Sequence, residues 1–108
     1  MTVPYLPRDP ERYRPGIGLI GCGGISALHL AAYRDAGYRV LALCDLVAER
    51  AHERQAEFYP GAKVVVDYHD LLAMPDIEVV DIATHVEVRP PIVEAALRAG
   101  KHVLSQKP

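Results

Sequence analysis

Gly21, Gly23 and Ser26 stand at the spacing glycine-x-glycine-x-x-small residue, within the string Gly21-Cys22-Gly23-Gly24-Ile25-Ser26. Asp45 follows Gly21 by 24 residues, at the end of the next apolar run. Residues of these types at this spacing suit the binding of a dinucleotide. A strand must end, the chain must turn tightly, and a helix must begin with its N–H groups aimed at an anion. Gly21 supplies the backbone freedom for the turn, and Gly23 keeps any Cβ from lying between the main chain and a pyrophosphate. Gly24 and Ile25 complete the turn, and Ser26 is small enough for the helix to lie against the strand. The helix that opens there offers about half a positive charge together with unpaired N–H donors. Asp45 lies close to the ~20-residue spacing of a carboxylate that grips the ribose hydroxyls. It also stands where an N-cap of a second helix belongs.

Such chemistry requires strand, turn and helix to alternate, and the sequence provides that alternation. Strands are predicted at Ile17–Cys22, Arg39–Cys44, Lys63–Val66, Val79–Ala83 and His102–Ser105. Helices are predicted at Ile25–Ala36, with Ile25, Leu28, Ala32 and Ala36 on its apolar face, and at Val47–Phe58. A single helical turn over Asp70–Met74 stops at Pro75, and a last helix starts at Pro90-Pro91 and ends before Gly100. Short links between strands and helices imply right-handed crossovers. The expected architecture is α/β, a doubly wound parallel sheet of Rossmann type with strand order 3-2-1-4-5. Residues 1–16, with four prolines, read as an irregular arm, and residues 17–108 as a dinucleotide-binding domain that stops before a sixth strand.

Composition narrows the class further. The chain has 108 residues, 50% of them hydrophobic, and a formal net charge of −2. A near-neutral balance gives no basic surface for nucleic acid, and the apolar runs are far shorter than the ~20 residues of a membrane span. The two cysteines, Cys22 and Cys44, both fall near strand ends, where parallel neighbouring strands would bring them close. With five scattered histidines and no paired ligand spacing, they read as free thiols of a reduced, cytoplasmic protein, neither a disulfide nor a zinc site. Asp81, inside a strand, reads as a satisfied structural group. His29 reads as a side chain packed under the glycine turn.

Four strings then resemble the Gfo/Idh/MocA family of dehydrogenases. They are Gly21-Cys22-Gly23-Gly24-Ile25-Ser26 with His29, Cys44-Asp45 followed by Ala48-Glu49-Arg50-Ala51, Val80-Asp81-Ile82-Ala83-Thr84, and Ala99-Gly100-Lys101-His102-Val103-Leu104 running into Gln106-Lys107-Pro108. The resemblance spans about residues 17–108. It implies hydride transfer between a nicotinamide coenzyme and a hydroxyl of a sugar, inositol or related polyol. It also implies a C-terminal α/β domain that holds substrate, so these residues correspond to the cofactor half and are expected to be inactive alone. In relatives the lysine matching Lys107 lies by the nicotinamide and the reacting hydroxyl, which makes it the catalytic candidate. Thr84, His85 and Gln106 join it as coenzyme contacts. The pattern departs from the family at Gln106, where a glutamate is usual, and after Thr84, where His85-Val86 replace a proline-led pair.

NAD is expected over NADP, because a 2′-phosphate ~4 Å from an ionised Asp45 would meet a repulsion of about 4 kcal/mol at an effective dielectric near 20. Arg50, five residues on, reads as a surface residue. Two other readings stay open. One is a stand-alone nucleotide-binding or interaction module, self-associating through a bare sheet edge. The other is a methyltransferase, against which Ile20 stands where an acidic residue belongs.

Overall fold

Gly16–Ile20 (β1) is buried along its whole length, as the central strand of a two-faced parallel sheet must be. The computed structural model describes residues 15–84 and 89–105, and for Arg89 and Ser105 the backbone alone. Arg39–Cys44 (β2), Lys63–Val65 (β3), Ile77–Ile82 (β4) and His102–Ser105 (β5) complete a five-stranded sheet of order β3-β2-β1-β4-β5, as expected. Every pairing is parallel. The helices are Ser26–Asp35 (α1), Ala48–Phe58 (α2), Tyr68–Leu72 (α3) and Arg89–Arg98 (α4).

Alternation along β1 splits the core in two. Ile17 and Leu19 pack with Leu30, Tyr33 and Ala51 of α1 and α2. Ile20 packs on the other face with Leu71, Leu72, Ile92 and Ala96 of α3 and α4. Gly18 points to that second face, where an added Cβ would lie 2.6 Å from Leu71 Cδ2. A strand ending on one side of this layered arrangement leaves its carboxyl end open to a ligand.

The sequence expectation for α1 is overturned. Its Ile25 and Leu28 are 43% and 68% exposed, and Ala32 and Ala36 are exposed as well. The helix buries Ser26, Leu30 and Tyr33 instead. The reason lies across the interface, in the buried carboxylate of Asp81 on β4. Tyr33 donates its hydroxyl to Asp81 Oδ2 at 2.6 Å, and His29 Nδ1 lies 2.7 Å from the same oxygen. A buried carboxylate left without partners would cost several kcal/mol, so the polar-tipped residues of α1 turn inward. Asp81 is thus the structural group expected, and His29 packs against it.

Smaller differences have local causes. β1 ends at Ile20, two residues early, because Gly21 adopts φ +100°. β3 ends at Val65 because Asp67 caps α3, accepting the His69 N–H at 2.9 Å, which also starts that helix two residues earlier than expected. β4 begins at Ile77, where Lys101 Nζ holds the carbonyls of Met74 and Ile77 at 2.9 and 2.6 Å.

Candidate coenzyme site

The carboxyl ends of β1, β2 and β4 converge on the glycine turn. Gly21 donates its N–H to the Cys44 carbonyl at 2.7 Å, tying the turn to β2. On its other side, a Cβ at Gly21 would lie 2.9 Å from Ala83 C and from Thr84 Cγ2. Only glycine fits between the two strand ends with this positive φ.

Asp45 bridges the turn and the start of α2. Its Oδ2 accepts the Cys22 N–H and its Oδ1 the Val47 N–H, each at 2.8 Å. The N-cap role expected for Asp45 is therefore displaced by two residues. Val47 occupies the cap position and makes no side-chain cap bond, while Asp45 is drawn back toward the glycine turn by Cys22. The carboxylate stays half-buried beside open space.

Beyond Cys22 the turn is bare. A Cβ at Gly23 or Gly24 would meet nothing within 4 Å. Ile25 occupies the N-cap of α1 without a side-chain cap bond, and the first turn holds no acidic residue. The N–H groups of Ser26, Ala27 and Leu28 bond the carbonyls of Gly23, Gly24 and Ile25, so a ligand anion at this helix start would meet the amides of Gly24 and Ile25 that precede them. Ser26 is fully buried, as its small-residue position requires, and donates its hydroxyl to the Gly23 carbonyl at 2.5 Å.

A crevice of about 950 Å³ opens along these strand ends, bordered by Gly23, Gly24, Ile25, Asp45 and Thr84, a size within the range of ~300–1,000 Å³ typical of ligand clefts. The structure thus brings together seven expected residues, with Gly21 also lining the crevice and Ser26 buried beneath the turn. His85, Gln106 and Lys107, the remaining candidates, lie outside the described residues.

The crevice also contains residues the sequence reading passed over. Leu46, 89% exposed, and Val66, 48% exposed, line it with Tyr68 and Ile92. They give it apolar walls of the kind that receive a flat base. Exposed aliphatic side chains just after the ends of β2 and β3 are the sequence signal that could have found them. Arg50, read from sequence as a surface residue, also borders the crevice. Arg54 of α2 went unnoticed altogether, and it reaches under the turn to Ser26 and Gly23.

The two thiols are free and buried, but they face opposite sides of the sheet, Cys22 among the α1–α2 core residues and Cys44 among those of α3–α4. Burial, reinforced by Asp45, pushes each thiol up to about 12. A raised pKa means the folded state holds its proton more tightly than the unfolded one. Stability from this source is full below the ordinary value of 9.0 and is lost as pH rises toward about 12. The urea midpoint is accordingly expected to fall across that window, and Cys22→Ala/Cys44→Ala is expected to flatten the fall. Native thiols should react slowly with a disulfide reagent at pH 8, and at the free-thiol rate once unfolded.

Among the described residues no cluster of histidine, cysteine, aspartate or glutamate is placed to hold a metal. No helix among them is long and apolar enough to cross a membrane.

Residues 16–108 match the model of an oxidoreductase family with an NAD-binding Rossmann fold, GFO_IDH_MocA. The chain is 39% identical over 93 residues to the inositol 2-dehydrogenase of Salmonella typhimurium, a match covering 84% of this chain and 28% of that protein. It therefore spans little more than a quarter of the length of the curated relatives it matches. Its fold superposes on myo-inositol dehydrogenase from Lactobacillus casei, solved with NAD(H) and myo-inositol, with a TM-score of 0.84 and 28% identity, covering 89% of this chain and 29% of that one. A 3-ketoreductase from Actinomadura kijaniata, solved with NADP and TDP-benzene, gives a TM-score of 0.81 and 31% identity, covering 89% of this chain and 30% of that one.

Proposed function

The chain belongs to the Gfo/Idh/MocA oxidoreductase family, of which it carries the NAD-binding Rossmann domain, and on that premise we propose that its crevice binds NAD in preference to NADP. The methyltransferase reading falls with that membership. In this reading the diphosphate rests on the open amides of Gly24 and Ile25, and the adenosine ribose on Asp45. One observation carries it. The Asp45 carboxylate and the bare glycine turn are joined by a 2.8 Å hydrogen bond from Cys22 N–H, so a sugar-recognising anion and a phosphate-recognising turn sit side by side. The apolar walls formed by Leu46, Val66 and Tyr68 suit the adenine ring.

The bound coenzyme supplies a carbon that gives or takes hydride. The partner substrate is a hydroxyl of a sugar- or inositol-like molecule, a reading supported by the inositol dehydrogenases among the relatives. Lys107 is assigned the place beside the reacting oxygen, where a cation stabilises developing charge. His85, Gln106 and Thr84 are assigned to the nicotinamide end. These 108 residues hold the coenzyme side of the reaction, so alone they are expected to bind NADH and to oxidise no polyol.

Titration of NADH fluorescence tests this reading. Enhancement that saturates, with NADPH binding more weakly, is the expected result. A flat signal at protein concentrations far above that of the coenzyme would refute it, and measurable inositol oxidation by this chain would refute the division of labour.

A further inference from the structure

We infer that Arg54 is a positioning residue of the coenzyme site, setting its affinity for phosphate by fixing the orientation of the Gly23–Gly24 peptide. The inference rests on the proposed coenzyme reading and adds to it a residue outside the glycine motif. Arg54 projects from α2 toward the start of α1, and only 20% of its side chain is exposed. Its Nε donates to Ser26 Oγ at 3.1 Å and its Nη2 to the Gly23 carbonyl at 3.4 Å. The Gly23 carbonyl also accepts the Ser26 N–H at 3.1 Å and the Ser26 hydroxyl at 2.5 Å. Three donors thus hold one carbonyl oxygen on the α2 side of the turn.

Peptide planarity carries that constraint to the crevice. All described peptides are trans, so the Gly24 N–H points opposite to the Gly23 C=O. Holding the carbonyl toward α2 therefore holds the N–H away from it, on the side where Gly23 and Gly24 border the crevice. Glycine at both positions leaves this peptide free to rotate, since no Cβ resists it. Without the guanidinium the carbonyl keeps only its two Ser26 donors, and the plane is held less firmly against turning an oxygen toward the anion in place of a donor. The planar fork of arginine presents two nitrogens to the two acceptors in a fixed geometry, whereas an ammonium would have to reach both from one nitrogen. The guanidinium adds a positive charge beneath the turn, paired at its outer edge with Glu57 at 3.3 Å.

The test compares ligands that do and do not carry phosphate. NADH and adenosine are titrated against the wild-type chain and against Arg54→Met, Arg54→Lys and Ser26→Ala, with melting temperature recorded for each. Arg54→Met is expected to bind NADH roughly tenfold more weakly, the scale of one charge-assisted hydrogen bond, with adenosine binding and melting temperature little changed. Arg54→Lys should fall between Arg54→Met and wild type, because it keeps the charge and loses the fork. Ser26→Ala, which removes the hydroxyl from the same carbonyl and the acceptor of Arg54 Nε, should also weaken NADH selectively, and it decides the matter if Arg54→Met does not fold. Unchanged NADH affinity in Arg54→Met overturns the inference, as does an equal loss for NADH and adenosine. The wild-type titration separates the two levels, since failure there overturns the coenzyme reading itself.

Discussion

Gly21→Ala is expected to destabilise the chain by about 2–5 kcal/mol and to abolish measurable NADH binding. Two costs combine. At φ +100° a side chain meets the steric penalty of left-handed backbone, about 1–2 kcal/mol. The new methyl would also lie 2.9 Å from the Ala83 backbone and the Thr84 side chain, an overpacking worth roughly 1–3 kcal/mol. Relief of the clash would push the turn off β4 and break its 2.7 Å bond from Gly21 N–H to Cys44. The amides of Gly24 and Ile25 would move with it. Chemical denaturation and NADH titration measure both losses. Gly61→Ala provides the control, because a Cβ there meets nothing within 4 Å and φ is not positive. A Gly21→Ala protein as stable as wild type would show that the turn does not hold this conformation.

Asp45→Ala is expected to weaken NADH binding by roughly 10- to 100-fold, the worth of one to two hydrogen bonds to a charged acceptor. Asp45→Asn separates shape from charge. It keeps an acceptor for one hydroxyl but removes the anion that repels a 2′-phosphate. The preference for NADH over NADPH should therefore shrink by at least about tenfold, since like charges ~4 Å apart cost about 4 kcal/mol at an effective dielectric near 20. Arg50, bordering the same crevice, is placed to meet the added phosphate once the carboxylate is gone. An Asp45→Asn chain with an unaltered coenzyme ratio would remove Asp45 from the ribose. Loss of the bonds from Cys22 and Val47 should lower the melting temperature modestly, because the Val47 end faces solvent.

The sheet was legible from sequence because each strand is a short apolar run between glycines, prolines and helix starts. Its order followed from right-handed crossovers together with the glycine turn, which marks the first strand of a mononucleotide-binding unit. The glycine turn and Asp45 were legible because chemistry fixes their spacing. Three things were not. The inward face of α1 is set by Asp81, 52 residues from His29 in the chain, and a periodicity count treats histidine and tyrosine as outward. Arg54 acts through a carbonyl on another element, and nothing in its local string marks it. The displacement of Asp45 from the cap arises because the Cys22 N–H competes for its carboxylate. In each case a long-range polar contact overrode a local pattern, and local patterns were all the sequence offered.

The central claim is that one crevice joins the amides of the glycine turn to the Asp45 carboxylate around a dinucleotide. Mapping amide shifts of nitrogen-15-labelled protein during an NADH titration tests it most directly. The largest changes should cluster at Gly23, Gly24, Ile25 and Ser26, with a second group from Cys44 to Val47. Saturable changes confined to the opposite end of the sheet, or to the outer faces of α2 and α4, would contradict it.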